Sequence, residues 1–519
     1  MCVSATTFPT LDPNFITVAA TTLPTSINLS GANPTQLYQP TGTESYFGRV
    51  DYSYNDRYLL GATIRRDGYS AFFPGHQWGT FPSISLGWRV SQEDFLKSVS
   101  WINDLKLRGS YGSTGSNANI TGKNAINTYN YGFGNTDYGI GGGLNSVSTG
   151  FAQTGIGNPN TTWETDKILN FGIDASLFNH FDLSVEYYKK TISGLLFPIS
   201  LPSTTGGATA PTVNIGDVQN HGVDISATYH NTIGSDFKFS VNANITTYKN
   251  KITSLNSGQQ NFTLFGGSRI GAFVNEKVGQ PIGEFYGYKV KGIYQNAGQV
   301  ASLPGYSGAG PGTYIYEDVN GDGKIDANDR TAIGNPNPNF TYGVNINASY
   351  KAFDFSMVLY GSQGNKDFNY IKYFTDTYNS FPGGKNIELL TNSAIVNPTT
   401  QTVTNPGATL QTFSASTPPS TFYVENGSFL KCRVAQLGYS FDPSLLKSIG
   451  VSKLHIYAQV TNLFTITKYT GLDPELVPSV NNQAQAGTAQ PLQSASTGVD
   501  WGAYPNNQKT FLLGINMTF

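Results

Sequence analysis

One rhythm constrains this chain more than any other feature. Stretches of alternating apolar and polar residues are joined by connections that are short, then long, then short again. "DKILNFGIDASLF" puts Leu169, Phe171, Ile173, Ala175 and Leu177 on one side of an extended chain, with Asn170, Gly172, Asp174 and Ser176 opposite. After Asn179-His180 the chain returns as "FDLSVEYYKKTI", with Leu183, Val185 and Tyr187 on the apolar side. Successive side chains of a strand point to opposite faces, so a period of two is a strand signature. "SYFGRVDYSY", "RYLLGATIRR", "VDISATYH", "FKFSVNANITTYKN", "FTYGVNINASY", "DFSMVLYGSQG", "SFLKCRVAQLGYSF" and "KLHIYAQVTNLF" repeat it. "GTFPSISLGWRV" and "DLKLRGSYGS" read as strands too, separated by the helix-like "SQEDFLKSVSWIN". The series amounts to about thirteen strands of roughly 10 residues, long enough for a tilted strand to cross a bilayer.

The connections sharpen this. Short turns are expected at Asn55-Asp56, Asn179-His180, Asn231–Asp236 and Lys351-Ala352. Between them lie long segments rich in Gly, Asn, Ser and Thr: Thr114–Thr162, Gly194–Gly216, Thr253–Asn339, Asn365–Gly427 and Thr465–Asn506. Membrane barrels place short turns on the periplasmic side and long loops outside. A soluble sandwich has no reason to gather its long loops at one end. The fold class expected is therefore all-β, an antiparallel transmembrane β-barrel with long extracellular loops.

Composition agrees. Charged residues make up 12% of the 519, well below the roughly 25% of soluble domains, while Tyr 31 and Phe 32 are abundant. Such a chain is not disordered, which would require high charge and few aromatics. The net charge of −2, without a basic tract, gives no electrostatic footprint for nucleic acid. Cys2 and Cys432 cannot build a disulfide framework or a metal cluster. The histidines at 76, 180, 221, 230 and 455 show neither ligand spacing nor a nucleophile signature. Glycine runs at 139–143 and 305–312 lack the Lys-Ser/Thr of a phosphate loop. No catalytic residues and no enzyme activity are expected.

In the last stretch, "NQKTFLLGINMTF", Phe511, Leu513, Ile515 and Met517 share one face. Together with Leu169, Phe171 and Ile173 they are expected to face lipid. Phe519 resembles the terminal aromatic recognised in outer-membrane barrel assembly.

"GNPNTTWETDKILNFGIDASLF", "NIGDVQNHGVDI", "VGQPIGEFYGYKVKGIYQ", "EDVNGDGKIDANDR", "YVENGSFLKCRVAQLGYSF" and "NLFTITKYTGLDPE" occur in that order, followed by the stretch from Asp500 to Phe519. They resemble the SusC/RagA family of TonB-dependent outer-membrane transporters of Bacteroidetes. Cys432 and Val434 stand where the family more often has Leu and Asn, and Trp163-Glu164 resembles a feature of the barrel rim. The resemblance implies uptake of glycans or oligopeptides, a SusD-like surface lipoprotein as partner, and energy from the TonB complex. It also implies a signal peptide, a TonB box and a plug before the barrel, none recognisable here. Barrels of this type have about 22 strands. The expected organisation is thus residues 1–44 as external loop and 45–519 as the C-terminal portion of a barrel, not competent for transport alone. The alternatives are a secreted or surface adhesin or glycan-binding β protein and, more weakly, a glycan-acting β enzyme. An adhesin would lack lipid-facing alternation, and an enzyme would need a carboxylate pair in a cleft.

Within the external segment 253–339, "DVNGDGKIDAND" has calcium-loop spacing. Oxygen ligands are wanted at positions 1, 3, 5, 7, 9 and 12, with Gly at 6. Asp318, Asn320, Asp322, the Lys324 carbonyl, Asp326 (through water) and Asp329 occupy those positions, with Gly323 at the turn. Ile325 is the apolar residue expected to pin the loop. Asp329 replaces the usual Glu and is one methylene shorter. Ca2+ is the cofactor expected, ordering an external loop without taking part in chemistry; a solvated Asx-turn cluster is the competing reading.

Overall fold

The computed structural model describes residues 41–519 apart from 119, 123, 132–136, 140–146, 150, 199–205, 256–260, 268, 378–382, 388, 405–416, 448–449, 477–496 and 503–507. Residues 1–40, most of the expected first loop segment, lie outside the described residues. Thirteen strands form one antiparallel sheet in which every strand pairs with its neighbours in sequence. They are β1 (Thr43–Tyr54), β2 (Tyr58–Tyr69), β3 (Trp78–Arg89), β4 (Ile102–Ser116), β5 (Glu164–Leu177), β6 (Phe181–Ser193) and β7 (Gly216–Ile233). β8 (Phe237–Leu255), β9 (Phe340–Tyr350), β10 (Phe353–Gln363), β11 (Phe429–Ser440), β12 (Lys453–Thr467) and β13 (Thr510–Thr518) complete it. β1 and β13 each pair on one side and run in the same direction.

The thirteen strands and the expected short turns are present. Asn55 and Asp56 both have positive φ, 51° and 55°, the backbone that closes a tight hairpin with the strands' own twist. Two expectations are corrected. The strands reach 19 residues in β8, because ladder hydrogen bonds continue past the bilayer-spanning length into the loops; β7 thereby runs through Ile233, leaving 234–236 as the turn. The helix-like segment is only a 3₁₀ turn at Val90–Gln92. Phe95 is exposed there, while Glu93 is held by Arg57, Tyr58 and Trp88.

Register makes the two faces continuous. Leu107 pairs with Ile173, Ile173 with Val185, Val185 with Ile225, Ile225 with Ile245 and Ile245 with Tyr342. At the other edge Val460, Ala458 and Ile456 pair with Phe511, Leu513 and Ile515. Phe171, Ile173, Phe511, Leu513 and Ile515 are all exposed on this outward, apolar face. The opposite face carries Arg108, Asp174, Glu186 and Asp224. At the short-turn margin Trp101 stacks on Phe178 at 5.5 Å and Phe353 meets Tyr439 at 4.9 Å, as in an interfacial aromatic girdle. No helix among the described residues is long and apolar enough to cross a membrane.

Candidate functional site

The inward face is held by a charged lattice. Arg108 on β4 donates to Asp174 on β5 at 3.1 Å and to Glu186 on β6. Asn170 also donates to Glu186, Ser184 to Asp174 at 2.8 Å, and Lys190 pairs with Asp166 at 2.7 Å. Inward residues of β4, β5 and β6 thus meet partners across neighbouring strands, which is how low overall charge still yields a polar wall there.

Above this wall the external loops form a structure of their own. Lys366–Asn369 lies between Val424–Asn426, antiparallel, and Val499–Asp500, parallel, so the β10–β11 and β12–β13 loops share a small sheet. The β8–β9 loop joins it through an aromatic core: Phe273 and Phe285 pack with Phe368, Tyr370, Tyr373 and Tyr423. The Phe273 and Phe368 rings stack at 4.0 Å with 4° between planes. Rings from two separate loops are buried against one another, together with Val274 and Val499. Trp163, beside the external end of β5, packs on Phe72 and Phe81 and donates to the Gln77 carbonyl at 2.9 Å. The indole has a buried apolar surface and an N–H acceptor there, so the loop core satisfies both ends.

Beneath the aromatic core sits a buried charged cluster. Lys431 at the start of β11 donates to both oxygens of Asp473 at 3.1 and 3.0 Å and to Glu475 at 2.9 Å. Lys372 pairs with Glu425 at 2.9 Å, and Tyr469 donates to Asp500 at 2.6 Å. Asp367 is 2% exposed, receives only the Asn365 amide at 3.3 Å on one oxygen, and has no partner on the other. A β-carbon at Gly427 would clash with that carboxyl and with Asn365. Burial, and then the nearby Asp500, Glu425 and Asp473, push the Asp367 carboxyl up to about 8. Burial likewise lifts Glu276 and Glu284 to about 7.

The calcium-type loop is docked as expected at one point. Ile325 is buried among Tyr288, Tyr314 and Tyr316. Asp318 accepts from the Gly321 and Gly323 amides at 2.7 and 2.8 Å, Asn320 from Asp322 at 3.0 Å, and Asp322 from Lys324 at 2.9 Å. Asp326 caps Asn328 at 2.8 Å. Asp329, fully buried, accepts from Val319 at 2.9 Å and Asp326 at 2.8 Å. Burial raises its pKa, but the Asp326, Val319 and Asn320 amides outweigh that and hold it below the usual carboxylate value. The oxygens are thus engaged by the loop's own N–H groups, and among the described residues no three His, Cys, Asp or Glu side chains gather closely enough to cage a metal.

Sequence reasoning missed the Lys431 cluster, whose members stand up to 133 positions apart between Asp367 and Asp500. The available signal was scarcity: in a chain this poor in charge, Asp473, Glu475 and Asp500 are isolated acids within polar neutral loops.

Comparison with known proteins agrees with this geometry. Residues 10–381 match the family described as TonB dependent receptor-like, beta-barrel. A TonB-dependent receptor, P3, of Formosa agariphila is 33% identical over 505 residues, which are 95% of this chain and 47% of that protein. The TonB-dependent receptor SusC of Bacteroides thetaiotaomicron is 32% identical over 494 residues, 92% of this chain and 43% of that one. The solved RagAB peptide transporter superposes with a TM-score of 0.74 at 23% identity, covering 92% of this chain and 47% of its own. The chain spans about half the length of the curated relatives it matches.

Proposed function

Because this chain belongs to the TonB-dependent receptor-like β-barrel family of the outer membrane, we propose that it forms wall and external loops of a SusC-like nutrient importer for glycans or oligopeptides. The observation that carries the reading is the division of one thirteen-stranded sheet into an apolar outward face and a charged inward face, with every long loop at one end. The outward face is matched to hydrocarbon, where a closed barrel is the sheet form that leaves no unpaired edge. The inward lattice provides a wettable passage wall. The loop assembly, rich in Tyr, Asn and Thr, offers stacking surfaces and hydrogen-bonding groups suited to sugars or peptide backbones.

The partners in this proposal are a SusD-like surface lipoprotein over the external loops and the TonB complex for energy. Since these 519 residues span about half the length of the curated relatives they match, they are proposed not to transport by themselves. In a host lacking its own importer, the exported chain should give no TonB-dependent growth on maltooligosaccharides or on oligopeptides. Growth supported by this chain alone would overturn that part of the proposal. With the coding sequence extended to the length of the relatives, growth on one of these classes should appear and should stop when TonB is deleted.

We also propose that the Asp318–Asp329 loop takes Ca2+. Support comes from the hard oxygen donors Asp318, Asn320, Asp322, Asp326 and Asp329 at loop spacing, with the Lys324 carbonyl, and from the Ile325 anchor. The metal would order the loop against the tyrosine cluster.

A further inference from the structure

We propose that the outward margin of β5–β8, on the long-loop side, binds the phosphate-bearing headgroup of a membrane glycolipid in the outer leaflet. The proposal rests on the membrane-barrel reading above. Lys189 pairs with His221 and His221 with Lys249 across β6, β7 and β8. One outward row further toward the loops, Lys167 pairs with Thr191, Thr191 with Gln219 and Gln219 with Lys251. All five basic residues share the face of Phe171, Ile173, Tyr187 and Ile225, as alternation along each strand requires.

The next two outward rows toward the short turns hold no charge from β4 to β9. They read Gly109, Phe171, Tyr187, Val223, Thr247, Phe340, and then Leu107, Ile173, Val185, Ile225, Ile245, Tyr342. Lysine on the lipid face is costly at the midplane and cheap at the interface. The step from apolar rows to basic rows therefore marks the level where hydrocarbon ends and headgroups begin.

These basic residues have no carboxylate of their own. Lys167, Lys189, Lys249 and Lys251 are exposed and His221 is half-buried; among the described residues none makes an ion pair. Lys190, next in the chain but facing inward, pairs with Asp166. The acids of the same strands, Asp166, Glu186 and Asp224, lie on the inward face. The one nearby outward acid, Asp217, is engaged by the Gly194 amide at 2.9 Å and the Ser254 hydroxyl at 3.1 Å. Strands stand about 4.8 Å apart, so the group spans roughly 15 Å, the reach of a headgroup bearing more than one phosphate. Long lysine stems can lie along apolar surface while their ammonium groups reach such phosphates. A soluble anion would not need cations at the edge of an apolar belt; a lipid headgroup is found nowhere else.

The test uses the full chain folded in nanodiscs. Quenching of tryptophan fluorescence by brominated acyl chains first reports insertion, with Trp88 in the apolar belt beside Leu107. Binding of bis-phosphorylated lipid A is then followed by native mass spectrometry against fully dephosphorylated lipid A and phosphatidylglycerol. The wild type should prefer the phosphorylated glycolipid to both by at least tenfold. The quadruple variant Lys167→Gln, Lys189→Gln, Lys249→Gln, Lys251→Gln should lose that preference, and the corresponding Lys→Arg variant should keep it. Lys238→Gln with Lys351→Gln, at the opposite margin, should change nothing. Normal quenching with no preference for phosphate, or undiminished binding by the Gln variant, would overturn this proposal alone. Absent quenching would remove the membrane reading, and the headgroup site with it.

Discussion

Replacing Lys431 by Met isolates the contribution of the buried cluster to the loop assembly. Met fills nearly the same volume, so packing changes little and charge is what is removed. Lys431 is 3% exposed and Asp473 is 6% exposed, and the Lys431 ammonium lies at 3.1 and 3.0 Å from both Asp473 oxygens. After the substitution Glu475 retains Arg433, but Asp473 keeps only its hydrogen bond from the Glu475 amide at 2.9 Å. Breaking a buried pair by removing one partner costs about 3–5 kcal/mol, because the other charge stays buried without compensation. Urea titration of the folded chain in detergent micelles should show a loss of that size. Hydrogen exchange should localise it to the segment around Asp473. The double variant Lys431→Met with Asp473→Asn removes the stranded charge and should recover most of the loss, giving a coupling of about 2–3 kcal/mol. A single variant costing under about 1 kcal/mol, or a double variant no better than the single, would refute the reasoning.

Asp367 predicts a pH dependence of defined sign. Its folded carboxyl is pushed up to about 8 from an ordinary 3.8, so the folded state holds a proton that the unfolded chain releases. The stabilisation is complete below about pH 4 and is lost as pH rises through 8. Thermal unfolding should therefore fall between pH 5 and pH 9, and Asp367→Asn should flatten but not abolish the slope, since Glu276 and Glu284 act in the same direction with values near 7. An unchanged slope in Asp367→Asn would reject the assignment. For the Asp318–Asp329 loop, calorimetry with millimolar Ca2+ should give a saturable signal in the wild type and none in Asp318→Ala/Asp322→Ala. Identical silence in both would leave the loop as a set of Asx turns.

Strand identity was legible because it depends on local alternation. The order DKILNFGIDASLF, turn, FDLSVEYYKKTI makes the pairing of Ile173 with Val185 legible through matching of the apolar faces, although the connection is 178–180 and not Asn179-His180 alone. The meander followed because each strand pairs with the next in sequence. The loop core was not legible. Phe273, Phe368 and Tyr423 come from separate segments, and nothing in the local pattern of any one says which other ring will cover it. The same holds for Lys431 and Asp473, 42 positions apart. The calcium-type loop was legible as spacing, and its Ile325 anchor was found where expected, but the hydrogen bonds its carboxylates make to their own backbone depend on loop conformation rather than on residue type. The segment after Val90–Gln92 was misread because its residue types suit a helix, whereas Glu93 is held by Arg57, Tyr58 and Trp88, contacts that no local pattern shows.

The central claim is that the two faces of the sheet meet different solvents, and charge placed on each face measures this directly. Ile173 lies on the outward face between Leu107 and Val185; Asn170 lies on the inward face and donates to Glu186. In urea titrations of the folded chain in detergent micelles, Ile173→Lys should cost about 2–4 kcal/mol, whereas Asn170→Lys should cost under about 1 kcal/mol. Equal costs at the two positions, or a larger cost at Asn170, would contradict the assignment of the apolar face to lipid.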